Sequence, residues 1–193
     1  MEKELRYIEL DKEKLEFRDD AREISGYAIL YNSKSKDLGG FVEIIDKRAF
    51  DSVNFDDVYL FYQHNSNDVL GNTGAETLSL RNTEQGIYFK ASLPDTSLGR
   101  DTYSLVKRGD LKGMSFGFSA SEDKWNLKEE PAIRTVTKVE KLYEISVVTY
   151  PAYNDTKVSA RALKTFEDCK CCKNELDEGC RLYAEAKEIV ASV

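Results

Sequence analysis

Between residues 4 and 153 the sequence returns to short blocks in which apolar and polar residues alternate, the two-residue period of a strand with one buried face. ELRYIEL (4–10) and EISGYAILYN (23–32) are two such blocks, separated by a charged stretch suited to a turn. DVYLFYQ (57–63) is dense in the residue types that fit a pleated surface. TLSLRNTEQGIYFKASL (77–93) alternates on both sides of a polar turn, which is a hairpin pattern with Leu78, Leu80, Ile87 and Phe89 on one face. LKGMSFGF (111–118) reads as a further strand, and TVTKVEKLYEISVVTYPAY (135–153) as a long strand or a bent pair ended by Pro151.

Helical signals are fewer. Asp46 in DKRAFDSV (46–53) is placed to cap a short helix burying Ala49, Phe50 and Val53. Asp95 and Thr96 can cap a second helix through RDTYSLVKR (100–108), stopping at Gly109, with Leu98, Thr102, Leu105 and Val106 inward. Residues 174–192 are rich in Ala, Glu, Lys and Leu and read as a terminal helix. The expectation is about seven strands with inserted helices, a mostly β (α+β) fold. Because the order does not repeat strand-helix-strand, an antiparallel β-barrel or sandwich is favoured over a doubly wound sheet.

A chain of 193 residues with 41% hydrophobic residues suits one domain with an accessory segment. The net charge of -7, with basic residues scattered among acids, disfavours nucleic acid as the main partner. There is no apolar run long enough to span a membrane, and MEKELRYIEL is too charged for a signal peptide, so an intracellular protein without membrane contact is expected. All four cysteines fall late: Cys169, Cys171, Cys172 and Cys180 in CKCCKNELDEGC. This compact cluster lacks the two well-separated knuckles of a strong zinc site, so reduced thiols and no cofactor are expected, with zinc the weaker reading.

Within LKGMSFGF, Ser115 points away from Met114 and Phe116, and it has Gly113 and Gly117 two residues to either side. It is either a solvent-facing strand serine or a nucleophile on a rigid strand whose glycines leave room for a substrate backbone. His64 is the single histidine, so an imidazole proton shuttle must use it. It enters the polar stretch HNSNDVLG (64–71), which reads as a loop. Glu144 lies among Leu142, Tyr143, Ile145, Val147 and Val148, where a carboxylate needs a partner; the His64 ring N–H is one, and the alternative is an outward glutamate on an edge strand. Glu140 and Asp155 are the other acids considered. Serine, histidine and acid make an acyl-transfer set if they meet. The G-M-S-F-G context has the glycine spacing of a hydrolase elbow but no following helix. Backbone N–H groups near Ser115, or Arg100, are the candidate oxyanion donors.

GYAILYN, DLGGFVEII with the following AF, QHN with VLG, LPDTSLGRDTYSLVKRGDLKGMSFGF and YEISVVTYPAYNDTKVSAR run in order from about residue 22 to 161. Together they resemble the tailed-phage prohead maturation serine proteases, a family related to the herpesvirus assembly proteases. The resemblance implies Ser115 as nucleophile, His64 as general base and Glu144 as the orienting acid. It also implies a β-barrel surrounded by helices over residues 1–161, with residues 162–193 as a Cys-containing tail for targeting or self-cleavage. The implied activity is endopeptidase cleavage of the scaffold, or of the scaffold-like N-terminal segment of the major capsid protein, and of the enzyme itself. The implied setting is the immature capsid in the host cytoplasm, with capsid or scaffold protein as partner and self-association allowed. The alternative is a catalytically silent capsid-assembly factor of the same fold.

Overall fold

A computed structural model of the chain describes residues 3–9 and 15–149. In order, the elements are β1 (Glu4–Glu9), β2 (Glu16–Arg18), β3 (Glu23–Leu30), β4 (Phe41–Ile45), β5 (Tyr59–Tyr62), β6 (Asn65–Asn72), β7 (Leu78–Asn82), β8 (Gly86–Ser92), α1 (Ser97–Arg108), β9 (Gly113–Asn126) and β10 (Ala132–Val148). One sheet runs β1-β9-β10-β5-β6 with β4 also paired to β10; the other runs β2-β3-β8-β7.

The 17-residue β10 organises the larger sheet. Along one edge it pairs antiparallel with β9 from Ile133↔Asn126 to Val148↔Gly113. Its other edge is long enough for two strands end to end, and it pairs parallel with β4 and then with β5. Between the sheets, Ile24, Ile29, Phe89, Met114, Phe116, Phe118, Ile145 and Val147 belong to one buried apolar cluster. The hairpin of β7 and β8 sets Leu80 opposite Phe89 as its alternation predicts. The helix α1 begins at Thr96, whose hydroxyl accepts from the Gly99 N–H, and ends at Gly109; Thr102, Tyr103 and Val106 are buried.

Several expectations need correction. The described residues hold ten strands in two sheets rather than about seven in a barrel, and no closed barrel forms. They contain one α-helix and one short 3-10 segment. Residues 46–53 make successive turns, with Ala49, Asp51 and Val53 N–H groups bonding carbonyls three residues back. Asp46 does accept from the Arg48 N–H, and Ala49 and Phe50 are buried, but turn-forming Asp51 and Ser52 follow at once. HNSNDVLG is strand after His64, because a two-residue turn returns the chain directly into β6. The helix at 174–192, the cysteine cluster, Asp155 and the 161/162 boundary lie outside the described residues.

A buried ion cluster locks β1 into this frame. Arg134, 1% exposed, reaches Glu4 at 2.6 Å, Glu43 at 2.7 Å and Asp123 at 2.7 Å. Arg6 holds Glu43 at 2.7 Å and Glu4 at 2.6 Å, so one cluster joins β1, β4, β9 and β10. Burial alone would raise the Glu4 pKa, yet Arg134 and Arg6 hold it below its usual value. Each charge here is tolerable only because the others are present. Replacing Arg134 with Met keeps much of the stem but leaves the buried Glu4 and Glu43 to share Arg6 alone. Urea unfolding of Arg134→Met is expected to show a loss of about 3–5 kcal/mol.

Candidate active site

Ser115 lies near the start of β9, opposite Tyr7 of β1 on one side and Ser146 of β10 on the other. Alternation sends Met114, Phe116 and Phe118 into the apolar core and Ser115 to the other face. Directly paired residues share a face, so Ser146 and Glu144, the latter opposite Gly117, stand on the Ser115 side. Tyr59 and Phe61 of β5 pair with Glu144 and Ser146 and stack on each other there, ring centroids 5.4 Å apart.

His64 reaches this face through a tight turn. Tyr62 pairs with Asn65, leaving Gln63 and His64 as the whole connection between β5 and β6, with φ of 52° and 61°. Two left-handed central residues define the hairpin turn usually filled by Asn-Gly. Neither glutamine nor histidine suits it, and such backbone costs on the order of 1 kcal/mol or more at each residue. Ladder and tertiary bonds hold the turn nonetheless: Gln63 N–H donates to Val147 O at 3.0 Å and its side chain to Thr149 Oγ1 at 3.1 Å. The turn aims the imidazole back toward β10.

There the His64 Nδ1 lies 2.9 Å from Glu144 Oε1. Glu144 is 1% exposed in its side chain, against 28% for His64, so the acid is interior and the imidazole reachable. Lys3 Nζ donates to the same oxygen at 2.8 Å, and Ser146 donates to Glu144 Oε2. Burial would push the Glu144 carboxyl up, but His64, Lys3 and Ser146 outweigh it and bring it down to about 2. A carboxylate only accepts hydrogen bonds, so a neutral His64 carries its proton on Nδ1 and leaves Nε2 as a base.

Ser115 is not bonded to His64. The residue is 4% exposed, and its hydroxyl donates to Arg6 O at 2.6 Å across the β1–β9 seam. The space above the flanking glycines is also occupied by Tyr7 of β1 and by Lys3 just before that strand. A Cβ on Gly113 would stand 2.0 Å from Tyr7 Cε2, and one on Gly117 would stand 2.2 Å from Lys3 Cε. The glycines therefore admit these two side chains as well as sparing the strand bulk beside Ser115. Arg100 sits exposed on α1, where its guanidinium binds Asp95 at 2.9 Å, and has no bond to Ser115, His64 or Glu144. Glu140 accepts from Ser119 at 3.4 Å and does not bond His64.

The structure thus joins His64 to Glu144 and sets both on the sheet that bears Ser115. Lys3, Tyr7 and Ser146 escaped the sequence reading. Alternation alone put Ser146 on the Glu144 side, but only the β1–β9 register brings Lys3 and Tyr7 there. Among the described residues there is no cluster of three or more potential metal ligands, and no helix long and apolar enough to cross a membrane.

A serine hydroxyl on the same face as an acid-oriented imidazole is an arrangement suited to acyl transfer, and comparison with known proteins points the same way. The family model for the caudovirus prohead serine protease matches residues 8–170, and the chain belongs to that family. It is 27% identical over 159 residues to the prohead protease of Enterobacteria phage HK97, covering 79% of this chain and 67% of that protein. It is 27% identical over 146 residues to the prohead protease of Escherichia phage T5, covering 73% of this chain and 63% of that protein. The chain therefore spans about two thirds of the length of these relatives. No solved structure matches it significantly.

The Glu144 interactions have a pH signature. Its folded pKa is depressed from 4.5 to about 2, so the stability it contributes is fully present above pH 4.5 and is lost as pH falls toward 2. In urea unfolding at a series of pH values, the stability gap between the wild type and Glu144→Gln is expected to narrow as pH falls through that window. Within it, the gap should shrink by about 1.4 kcal/mol per pH unit.

Proposed function

We propose that the chain is a serine endopeptidase that matures a phage procapsid. It cleaves the scaffold, or the scaffold-like N-terminal segment of the major capsid protein, and itself, inside the immature capsid in the host cytoplasm. The observation that carries this reading is the 2.9 Å His64–Glu144 contact on the sheet face that bears Ser115, in a chain of the prohead serine protease family.

Ser115 is the nucleophile, His64 the general base and Glu144 the orienting acid. The Ser115 hydroxyl turns from Arg6 O to His64 Nε2, which takes its proton as Oγ adds to the scissile carbonyl carbon. Protonated His64 is stabilised by Glu144 and returns the proton to the leaving amine as the C–N bond breaks. Water, activated by the same imidazole, then hydrolyses the acyl-enzyme. The apolar Tyr59–Phe61 stack beside Glu144 supplies surface for a substrate side chain. Residues 1–161 carry the catalysis in this reading, and residues 162–193 serve docking to the shell or processing.

Coexpression with the capsid protein, followed by mass spectrometry, tests the proposal. Ser115→Ala and His64→Ala should each lower cleavage by on the order of 10⁴-fold or more while leaving the unfolding transition intact. Glu144→Ala should lower it less, by about 10- to 1000-fold, because water can partly replace an orienting acid. Undiminished cuts with Ser115→Ala would overturn the mechanism and leave a noncatalytic assembly factor as the better account.

A further inference from the structure

Tyr7 stands directly opposite Ser115 in the β1–β9 ladder, and its ring extends over Gly113 on the Ser115 face. Its hydroxyl is buried and has no hydrogen-bond partner among the described residues. Buried polar atoms without partners are few in folded proteins, and one on the sheet face of a candidate nucleophile calls for a physical reason. An O–H unpaired at rest and matched only when negative charge develops in front of it is the kind of group that stabilises a transition state more than a ground state.

Three features preorganise it. Gly113 leaves room for the ring, since a Cβ there would fall 2.3 Å from the Tyr7 hydroxyl. The residues before it in β1, Glu4 and Arg6, are fixed in the buried ion cluster, so the strand bearing Tyr7 cannot drift from β9. The phenol also keeps its proton: burial, and then the charge of Glu9, push its pKa up to about 12, well above the range in which an imidazole base operates.

We propose that the Tyr7 hydroxyl is an oxyanion donor of the active site, hydrogen-bonding the scissile carbonyl oxygen as Ser115 adds to the carbonyl carbon. The inference rests on the serine-protease reading above. As the Oγ–C bond forms, the carbonyl π pair moves onto oxygen and Tyr7 donates to it while retaining its own proton. On collapse that pair re-forms the carbonyl, the C–N bond breaks and His64 gives its proton to the amine. Arg100, paired with Asp95 on α1, is not needed for this role.

Tyr7→Phe keeps the ring over Gly113 and removes only the donor. In the full chain, the rate at which a fluorophosphonate labels Ser115 should fall about 100-fold, because the phosphoryl oxygen occupies the oxyanion position. Cleavage of coexpressed capsid protein should slow similarly, with the loss in kcat rather than KM. The melting temperature should be unchanged or slightly higher, since a buried unpartnered hydroxyl is gone. Labelling and cleavage within threefold of wild type would overturn the assignment. Ser115→Ala separates the two levels of the argument: if it abolishes labelling and cleavage while Tyr7→Phe stays at full rate, only the Tyr7 role fails. If Ser115→Ala still cleaves at full rate, the serine mechanism itself fails.

Discussion

The antiparallel pairing of β9 with β10 determines where every group of the candidate site stands. Ser115 faces Ser146, and Gly117 faces Glu144, only in the observed register. A shift of one residue would turn Ser115 into the core and bring Met114 and Phe116 out, exposing apolar surface that now fills the cluster between the sheets. The apolar side of β9 therefore enforces the position of its polar side. A register irregularity between Leu142 and Glu144 falls where β10 passes from the ion-cluster half of the sheet to the half that bears the candidate site.

Charge burial extends that constraint to β1. An edge strand of six residues would ordinarily be weakly held, but Glu4 and Arg6 sit in a cluster whose members would be stranded if the strand left. The residues alternating with these, Lys3 just before the strand and Tyr7 within it, then lie on the Ser115 face. One strand thus uses its inner side for anchorage and its other side to line the candidate site. Lys3 and His64 share one oxygen of Glu144, and the resulting ionised carboxylate fixes the imidazole tautomer.

Much of this was legible in the sequence. Alternation located most of the strands, Thr96 and Gly109 bounded α1, and the scarcity of histidine together with the family motifs singled out His64, Ser115 and Glu144. What was not legible depended on partners distant in the chain. Nothing near Tyr7 says that it will face Ser115, 108 positions later, because cross-strand register is settled by packing rather than by local pattern. β6 was missed for a different reason: Gln63-His64 lacks the residues that normally announce a two-residue hairpin turn, so the polar stretch after it read as a loop. A turn of two left-handed residues that are neither Asn nor Gly breaks a local rule, and such breaks tend to mark functional positions.

In the resting arrangement the two halves of the candidate machinery stand in different states. Histidine and acid are already bonded, whereas the serine hydroxyl is occupied by a backbone carbonyl of β1. Exchanging one neutral hydrogen bond for another changes net stability by only about 0.5–1.5 kcal/mol, and a serine side chain reorients by a single torsion. The ordered pair, by contrast, depends on a left-handed turn and a buried carboxylate that would be costly to assemble during a reaction. The fold therefore builds the expensive part in advance and leaves the inexpensive part to move. On the proposed reading, the Ser115 hydroxyl has to leave Arg6 O before it can reach the His64 imidazole.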